Sequence, residues 1–396
     1  QAQYLKIGNI VFDTIFVKAA SRPDSLVLQV QTANLWFGPK IKMNKFYFDN
    51  SSKNDSSHIL FFWKDSLKHK NKIKAEAWFT YTGPTQKPIW HFSSLPSNFY
   101  LLNENWQIGS LSLLFDSTGI SFDKFAMYNG DKKIEITGKV SSSASDTLNA
   151  KFSDIDLTML NFFMSGSNIF LDGKAKAQIA FTHPNNKAHI NANININDFS
   201  LNHQIIGNTH AKLWWDPFAE KFYFTALASK ENVPTLNTSG FITPATSEFN
   251  IETQLHSLST KIFQPFVENL FHFHNGNING QLYVKGKTDN PQISGICNVD
   301  SGDFTFIPFN TRYTFNSTIQ FQNNNIIIAK TKVYDQKQQS FDFSGRVLSI
   351  TRQPRFDLKL ELKNNMVFNT SIPQAMPIYG TCYADGNVSI TGTTDN

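Results

Sequence analysis

Hydrophobic and polar residues alternate along this chain almost without relief. Between residues 188 and 196, Ala188, Ile190, Ala192, Ile194 and Ile196 fall on one side, and His189, Asn191, Asn193 and Asn195 on the other. Phe356, Leu358, Leu360 and Leu362 alternate with Asp357, Lys359, Glu361 and Lys363, and the stretches 148–152, 249–253 and 282–284 behave likewise. Successive side chains of a strand point to opposite faces, so a period of two predicts strands with one apolar and one wet face. Turns are expected at Asp216-Pro217, Asn275-Gly276, Asp289-Asn290-Pro291, Ser301-Gly302, Asn323-Asn324-Asn325 and Asp385-Gly386. Helical spacing is rare. The best candidate spans 258–270, where Ser259 or Thr260 can cap the start and Ile262, Phe266 and Leu270 share a face. Shorter candidates at 157–163 and 369–376 occupy equivalent places, the latter carrying Pro373.

Those places are equivalent because the chain repeats itself. GQLYVKGKTDN from Gly280 to Asn290 returns as GNVSITGTTDN from Gly386 to Asn396, 106 residues later, and a related copy opens 107 residues earlier at Gly173. Phe249-Asn-Ile-Glu-Thr-Gln-Leu255 likewise precedes Phe356-Asp-Leu-Lys-Leu-Glu-Leu362 by 107, and Gly240 answers Gly345 at 105. A more divergent copy begins at Lys72. The expected organisation is an N-terminal β-rich segment (1–71), three β-repeats (72–172, 173–279 and 280–385) and the start of another (386–396). Repeats that each bury an apolar face only against a neighbour place function in the stack. The chain opens on Gln1 and stops at Asp395-Asn396, one residue short of the proline expected from Pro291, so it reads as an internal piece of a longer repeat protein.

Composition narrows the function classes. Net charge is +5 with 17% charged residues and no basic stripe, which argues against nucleic acid. The 37 Phe supply abundant apolar surface, yet no run is long enough to span a membrane as a helix. No nucleophile elbow, phosphate loop or dinucleotide fingerprint is present, so no catalytic residue and no enzyme activity is assigned. Cys297 and Cys382 stand in separate predicted strands without metal-ligand spacing and read as buried or half-buried free thiols. His272 and His274 share a strand face but lack a third ligand, so they read as polar-face residues, and no metal or cofactor is assigned. Asn275 to Gly280 lacks the carboxylates of a calcium loop. Of Trp214 and Trp215, adjacent on a strand, one ring is expected inside and one at an edge.

Two geometries satisfy the alternation. Two sheets can seal their apolar faces about 10 Å apart, or one sheet can curl and leave an oily trough. The residues that parity places on the apolar side are Ile190, Ile194, Ile196, Phe249, Ile251, Leu255, Leu282, Val284, Phe356, Leu358, Leu360, Leu362, Val388 and Ile390.

Each unit runs glycine, alternating strand, Gly-x-Thr-x-x-Pro, further strands, Gly-x-Val or Gly-x-Ile, a Phe-Asp-Leu strand and a helix. The copy at Gly280, Gly286, Thr288, Pro291 and Gly295 is the fullest. Gly386, Gly392 and Thr394 match until the chain ends, and the copy at Gly173 keeps Pro184 but has Ile179 at the second glycine. Over residues 130–396 this pattern resembles the repeated region of the TamB/AsmA-like family, the inner-membrane subunits of the translocation and assembly module. The resemblance implies an all-β, elongated, curled antiparallel sheet (a β-taco) with a hydrophobic groove and few short helices. It also implies a place in the Gram-negative periplasm, with the parent protein held in the inner membrane by an N-terminal anchor outside this sequence. Phospholipid would be the cargo and an Omp85-type, TamA-like outer-membrane barrel the partner. About 30 strands at a spacing near 4.8 Å would cover about 140 Å, the scale of such a crossing. A scaffold for outer-membrane protein assembly and an adhesin-like stalk of stacked sandwiches are the rival expectations.

Overall fold

The period-two pattern folds as expected: in the computed structural model the chain is all-β, and the 26 strands among its described residues form one hydrogen-bonded antiparallel sheet. The structure describes residues 2–7, 10–37, 41–64, 72–85, 87–101, 104–162, 164, 168–183, 187–350, 353–370 and 379–393. Pro184, Thr394, Asp395, Asn396 and residues 371–376 of the third helix candidate lie outside them.

The first strands are β1 (Ala2–Ile7), β2 (Ile10–Arg22), β3 (Ser25–Phe37), β4 (Ile41–Lys53), β5 (Ser56–Lys64), β6 (Lys72–Thr82) and β7 (Ile89–Ser94). Next come β8 (Ser97–Leu101), β9 (Glu104–Ile108), β10 (Leu111–Asp116), β11 (Gly119–Asn129), β12 (Lys132–Ser141) and β13 (Leu148–Asp156). They are followed by β14 (Leu171–Thr182), β15 (His189–Leu201), β16 (Gln204–Asp216), β17 (Lys221–Lys230), β18 (Val233–Thr243) and β19 (Glu248–Ser259). The last are β20 (Phe271–Lys287), β21 (Asn290–Phe306), β22 (Thr311–Gln322), β23 (Asn325–Tyr334), β24 (Ser340–Leu348), β25 (Arg355–Thr370) and β26 (Gly380–Thr393). Helix is confined to short turns, at Leu157–Phe162, Thr260–Val267 and Ile307–Phe309 among the described residues.

The chain divides into two compact units, Gln1–Ile155 with Ala175–Ala192, and Asp156–Lys174 with Asn193–Asn396. These boundaries cut through β14 and β15 rather than following the sequence repeat. In the first unit the pairing runs in order from β1 to β7, then β7–β10–β11–β12–β13, while the β8–β9 hairpin bridges β6 and β11.

In the second unit β16 to β26 pair strictly in sequence order. The repeat is explicit in the register. β19 meets β20 as Phe249↔Gly286, Ile251↔Val284, Thr253↔Leu282 and Leu255↔Gly280. β25 meets β26 as Phe356↔Gly392, Leu358↔Ile390, Leu360↔Val388 and Leu362↔Gly386. β18 on β19 and β24 on β25 match in the same way, Gly240 facing Ile251 and Gly345 facing Leu358.

Three of the expected turns are not turns. Asn275-Gly276, Ser301-Gly302 and Asp385-Gly386 lie inside β20, β21 and β26. At the first two the ladder slips its register, as an inserted bulge residue requires. Ser257, Ser301 and Asn364 take positive φ values of 49°, 53° and 52°, and the backbone N–H of each donates to a side-chain Oδ1 on the next strand, from Asn279, Asn316 and Asp385 respectively. Asp385 therefore caps a bulge instead of starting a turn. Bulges strengthen local twist and bend, so they recur where the sheet must curve.

The helix expected over 258–270 is also shorter. Thr260–Phe263 is a 3-10 turn and Gln264–Val267 a single α turn with Pro265 near its start. Ser259 caps it as foreseen, its side chain accepting from the Lys261 N–H. A shared face at i, i+4 and i+8 needs a continuous α-helix, whereas here a 3-10 turn gives way to one α turn that ends before Leu270. Ile262 is buried while Phe266 and Leu270 are exposed.

Candidate functional site

One face of β16–β26 is apolar from strand to strand. The direct cross-strand neighbours Thr209, Ala228, Leu236, Leu255, Gly280, Cys297, Ile319, Ile328, Gly345, Leu358 and Ile390 form one row over eleven strands. A second row passes through Leu282, Gly295, Phe321, Ile326, Val347 and Phe356. Ten strand spacings of 4.8 Å make this face about 50 Å long. The opposite face carries the ions: Arg346 pairs with Asp357 at 2.6 Å, Lys330 with Asp342 at 3.0 Å and Glu361 at 3.2 Å.

The face is concave at one margin. Tyr313 Oη donates to the Met366 carbonyl at 3.2 Å and Thr311 Oγ1 to that of Val367 at 3.1 Å, joining β22 to β25. Three strand spacings in a flat sheet would hold them about 14 Å apart. The previous repeat makes the corresponding crossing, Asn202 Nδ2 donating to the Ile262 carbonyl at 2.8 Å, as Asn310 Nδ2 does to Asn369 at 2.8 Å. A buried polar clasp reinforces the later one. Asp335, 1% exposed, accepts backbone N–H groups of Lys337, Gln339 and Met366, and Asn365 Nδ2 donates to the Gln339 carbonyl.

Burial grades away from that margin. Leu255, Leu258, Ile262, Ile278, Cys297 and Val299 form one packed cluster, and Val333, Phe341 and Leu362 another. Toward the opposite margin Phe249, Ile251, Leu282, Val284, Phe356, Leu358 and Leu360 are half-buried, and on β26 Val388 and Ile390 are 40% and 47% exposed. Leu255 and Leu362 are thus wall residues, sealed by packing. On β15, Ile194 and Ile196 are half-buried between exposed Asn193, Asn195 and Asn197, and Asn195 Oδ1 meets His210 on the wet face of β16. Ile190 is half-buried on the part of β15 that belongs to the first unit.

The first unit has its own apolar face, which sequence reasoning did not assign. Val30, Phe48, Phe61 and Ala75 are cross-strand neighbours, as are Phe79, Phe92, Leu113, Phe122, Gly138 and Leu148, and all except Gly138 are half-buried hydrophobics. The signal was present as Leu26, Leu28 and Val30 alternating with Val27, Gln29 and Gln31.

All described strands belong to one hydrogen-bonded sheet.

The polar candidates resolve into ordinary roles. His272 and His274 stand with ring centroids 4.8 Å apart, and His274 Nε2 meets Thr305 Oγ1 at 2.8 Å. Burial, then the nearby Arg312 charge, lowers the His274 pKa. Arg312 hydrogen-bonds Asp303 at 2.8 Å and holds that carboxyl below its ordinary range. Trp215 lies half-buried against Phe222, while Trp214 is 37% exposed and stacks on Tyr223. Cys297 is buried as expected, which pushes its thiol up to about 11, whereas Cys382 is exposed, contrary to the expectation for it. Among the described residues no three His, Cys, Asp or Glu side chains gather as for a metal.

Comparison with protein-family models, with curated proteins and with solved structures found no match.

Proposed function

We propose that this chain is a segment of a TamB-like bridge that shields phospholipid acyl chains in an apolar groove between two membranes. The observation that carries this reading is the apolar face of β16–β26, walled at one margin and half-exposed along the other. Each methylene returned to water costs about 0.8 kcal/mol, so a 16-carbon tail costs on the order of 10 kcal/mol. A continuous oily face removes most of that barrier without chemistry, and needs no catalytic group. The periplasm, the inner-membrane anchor of the parent protein and an Omp85-type barrel partner follow from the family resemblance. A stalk of stacked sandwiches would pair separate sheets, so the single hydrogen-bonded sheet supports the groove reading over it.

The test is gentle purification, solvent extraction and mass spectrometry of the extract, with photo-crosslinking residues at Leu360 and at Lys359. Co-purifying phospholipid, with adducts at Leu360 on the apolar face and none at Lys359 on the wet face, is the expected result. Lipid-free protein, or equal adducts at both positions, would overturn the reading.

A further inference from the structure

We propose that the apolar face of the first unit holds a polar subsite, where Trp63 and Trp106 donate to the ester carbonyl oxygens of an acylated lipid. The assignment rests on the groove reading given above and fixes which part of a lipid lies here. Among the described residues three buried side-chain polar atoms have no hydrogen-bond partner, and two of them are Trp63 Nε1 and Trp106 Nε1. The third, the Thr243 hydroxyl, rotates to suit its surroundings, but an indole N–H points only where its ring points. Trp63 is 5% exposed and Trp106 1%, so bulk water serves neither. A buried donor without an acceptor has given up hydration for nothing, and native chains seldom keep one. Here two stand in one row.

The register puts them there. Trp63 faces Ile73, Ile73 faces Phe99 and Phe99 faces Trp106, so the four side chains cross β5, β6, β8 and β9 as one row. Trp63 lies on the same side of β5 as Phe61, and Ile73 on the same side of β6 as Ala75 and Phe79, so the row belongs to the apolar face. Along β6 that face runs six residues from Ile73 to Phe79, about 20 Å, with Phe61 and Phe92 on the flanking strands. Next to Trp106 it turns polar: two residues away on β9, Glu104 accepts from Asn129 Nδ2 at 2.8 Å and from Lys132 Nζ. Hydrocarbon alone would suit the aromatic run but offers an indole N–H nothing. A carboxylate or phosphate would bring charge into a buried place beside Glu104, whose cation Lys132 is already paired, and an unpaired buried charge is costly. An ester carbonyl supplies an acceptor without charge, at the head of a tail that the aromatic run can cover.

The probes are dipalmitoylglycerol and its dihexadecyl ether analogue, which keeps the tails and lacks the carbonyls, each delivered to the full chain from cyclodextrin. Calorimetry gives the affinities, and the indole N–H resonances of the tryptophans, 15N-labelled and assigned in the wild type, report their hydrogen bonds. The expected result is that both probes bind, the ester about ten-fold more tightly, as two neutral hydrogen bonds allow. The ester alone should move the Trp63 and Trp106 resonances downfield, and the Trp63→Phe/Trp106→Phe variant should bind ester and ether alike. Equal affinities with both resonances unmoved, or a double variant that keeps its preference for the ester, would overturn the subsite and leave the groove standing. Failure of both probes to bind would overturn the two together.

Discussion

Two positions on one apolar face should answer truncation in opposite ways. Leu362 is 6% exposed and packs with Val333 and Phe341, flanked by Phe343 and Leu360. Leu362→Ala removes three buried carbons from a site fixed by the clasp of Asp335 and Asn365, so little collapse can fill the cavity, and the loss is about 3 kcal/mol. In a unit of this size each kcal/mol is about 2–4 °C in Tm, giving a fall of about 6–12 °C. Ile390 lies on the same face but is 47% exposed on β26. Ile390→Asn gives up about half of the burial of one side chain, about 1 kcal/mol or 2–4 °C. Scanning calorimetry and phospholipid recovered per folded chain should separate them. Leu362→Ala melts early but carries its full lipid load, whereas Ile390→Asn stays folded and loses at least half of it. The reasoning fails if both variants melt alike, or if Leu362→Ala keeps its Tm while losing lipid.

Gly295→Val places a branched side chain at φ 139° against the Gln281 carbonyl, and should lower the urea midpoint by an amount equivalent to about 2–4 kcal/mol. Native-state maleimide labelling at pH 8 should modify one thiol per chain, at exposed Cys382, with Cys297 reacting only on unfolding because burial raises its pKa to about 11; rapid labelling of both would mean the wall is open there. The Arg312 hydrogen bond depresses the Asp303 pKa, so its stabilisation is present above the unfolded carboxylate pKa and is lost as pH falls through the lower folded value. Wild type and Asp303→Asn should therefore differ in unfolding midpoint at pH 6 and converge in acid, and a gap that persists at pH 2 would refute the assignment.

Which side of each strand is oily was legible in the sequence; how far each strand bends past the next was not. Parity puts Ile251 and Val284, and Leu358 and Ile390, on one face, because a period of two leaves one choice of face once a strand is granted; the register that sets them side by side comes from the fold. Curvature is written elsewhere, in residues that look like ordinary turn formers. Ser301 and Asp385 read as punctuation, yet one is a bulge residue and the other caps the bulge at Asn364. Asn202, Asn310 and Thr311 close the margin through bonds to carbonyls 56 to 60 residues away, a distance no local pattern encodes. The repeat held a usable clue. Asn279 and Asp385 stand 106 residues apart, the spacing that also separates Gly280 from Gly386, and a turn former that recurs inside an otherwise alternating strand marks a bend within the sheet. The packed wall follows from that device: bulges bend the sheet where Leu255 and Leu362 pack, while Val388 and Ile390, on the same face of β26, stay 40% and 47% exposed.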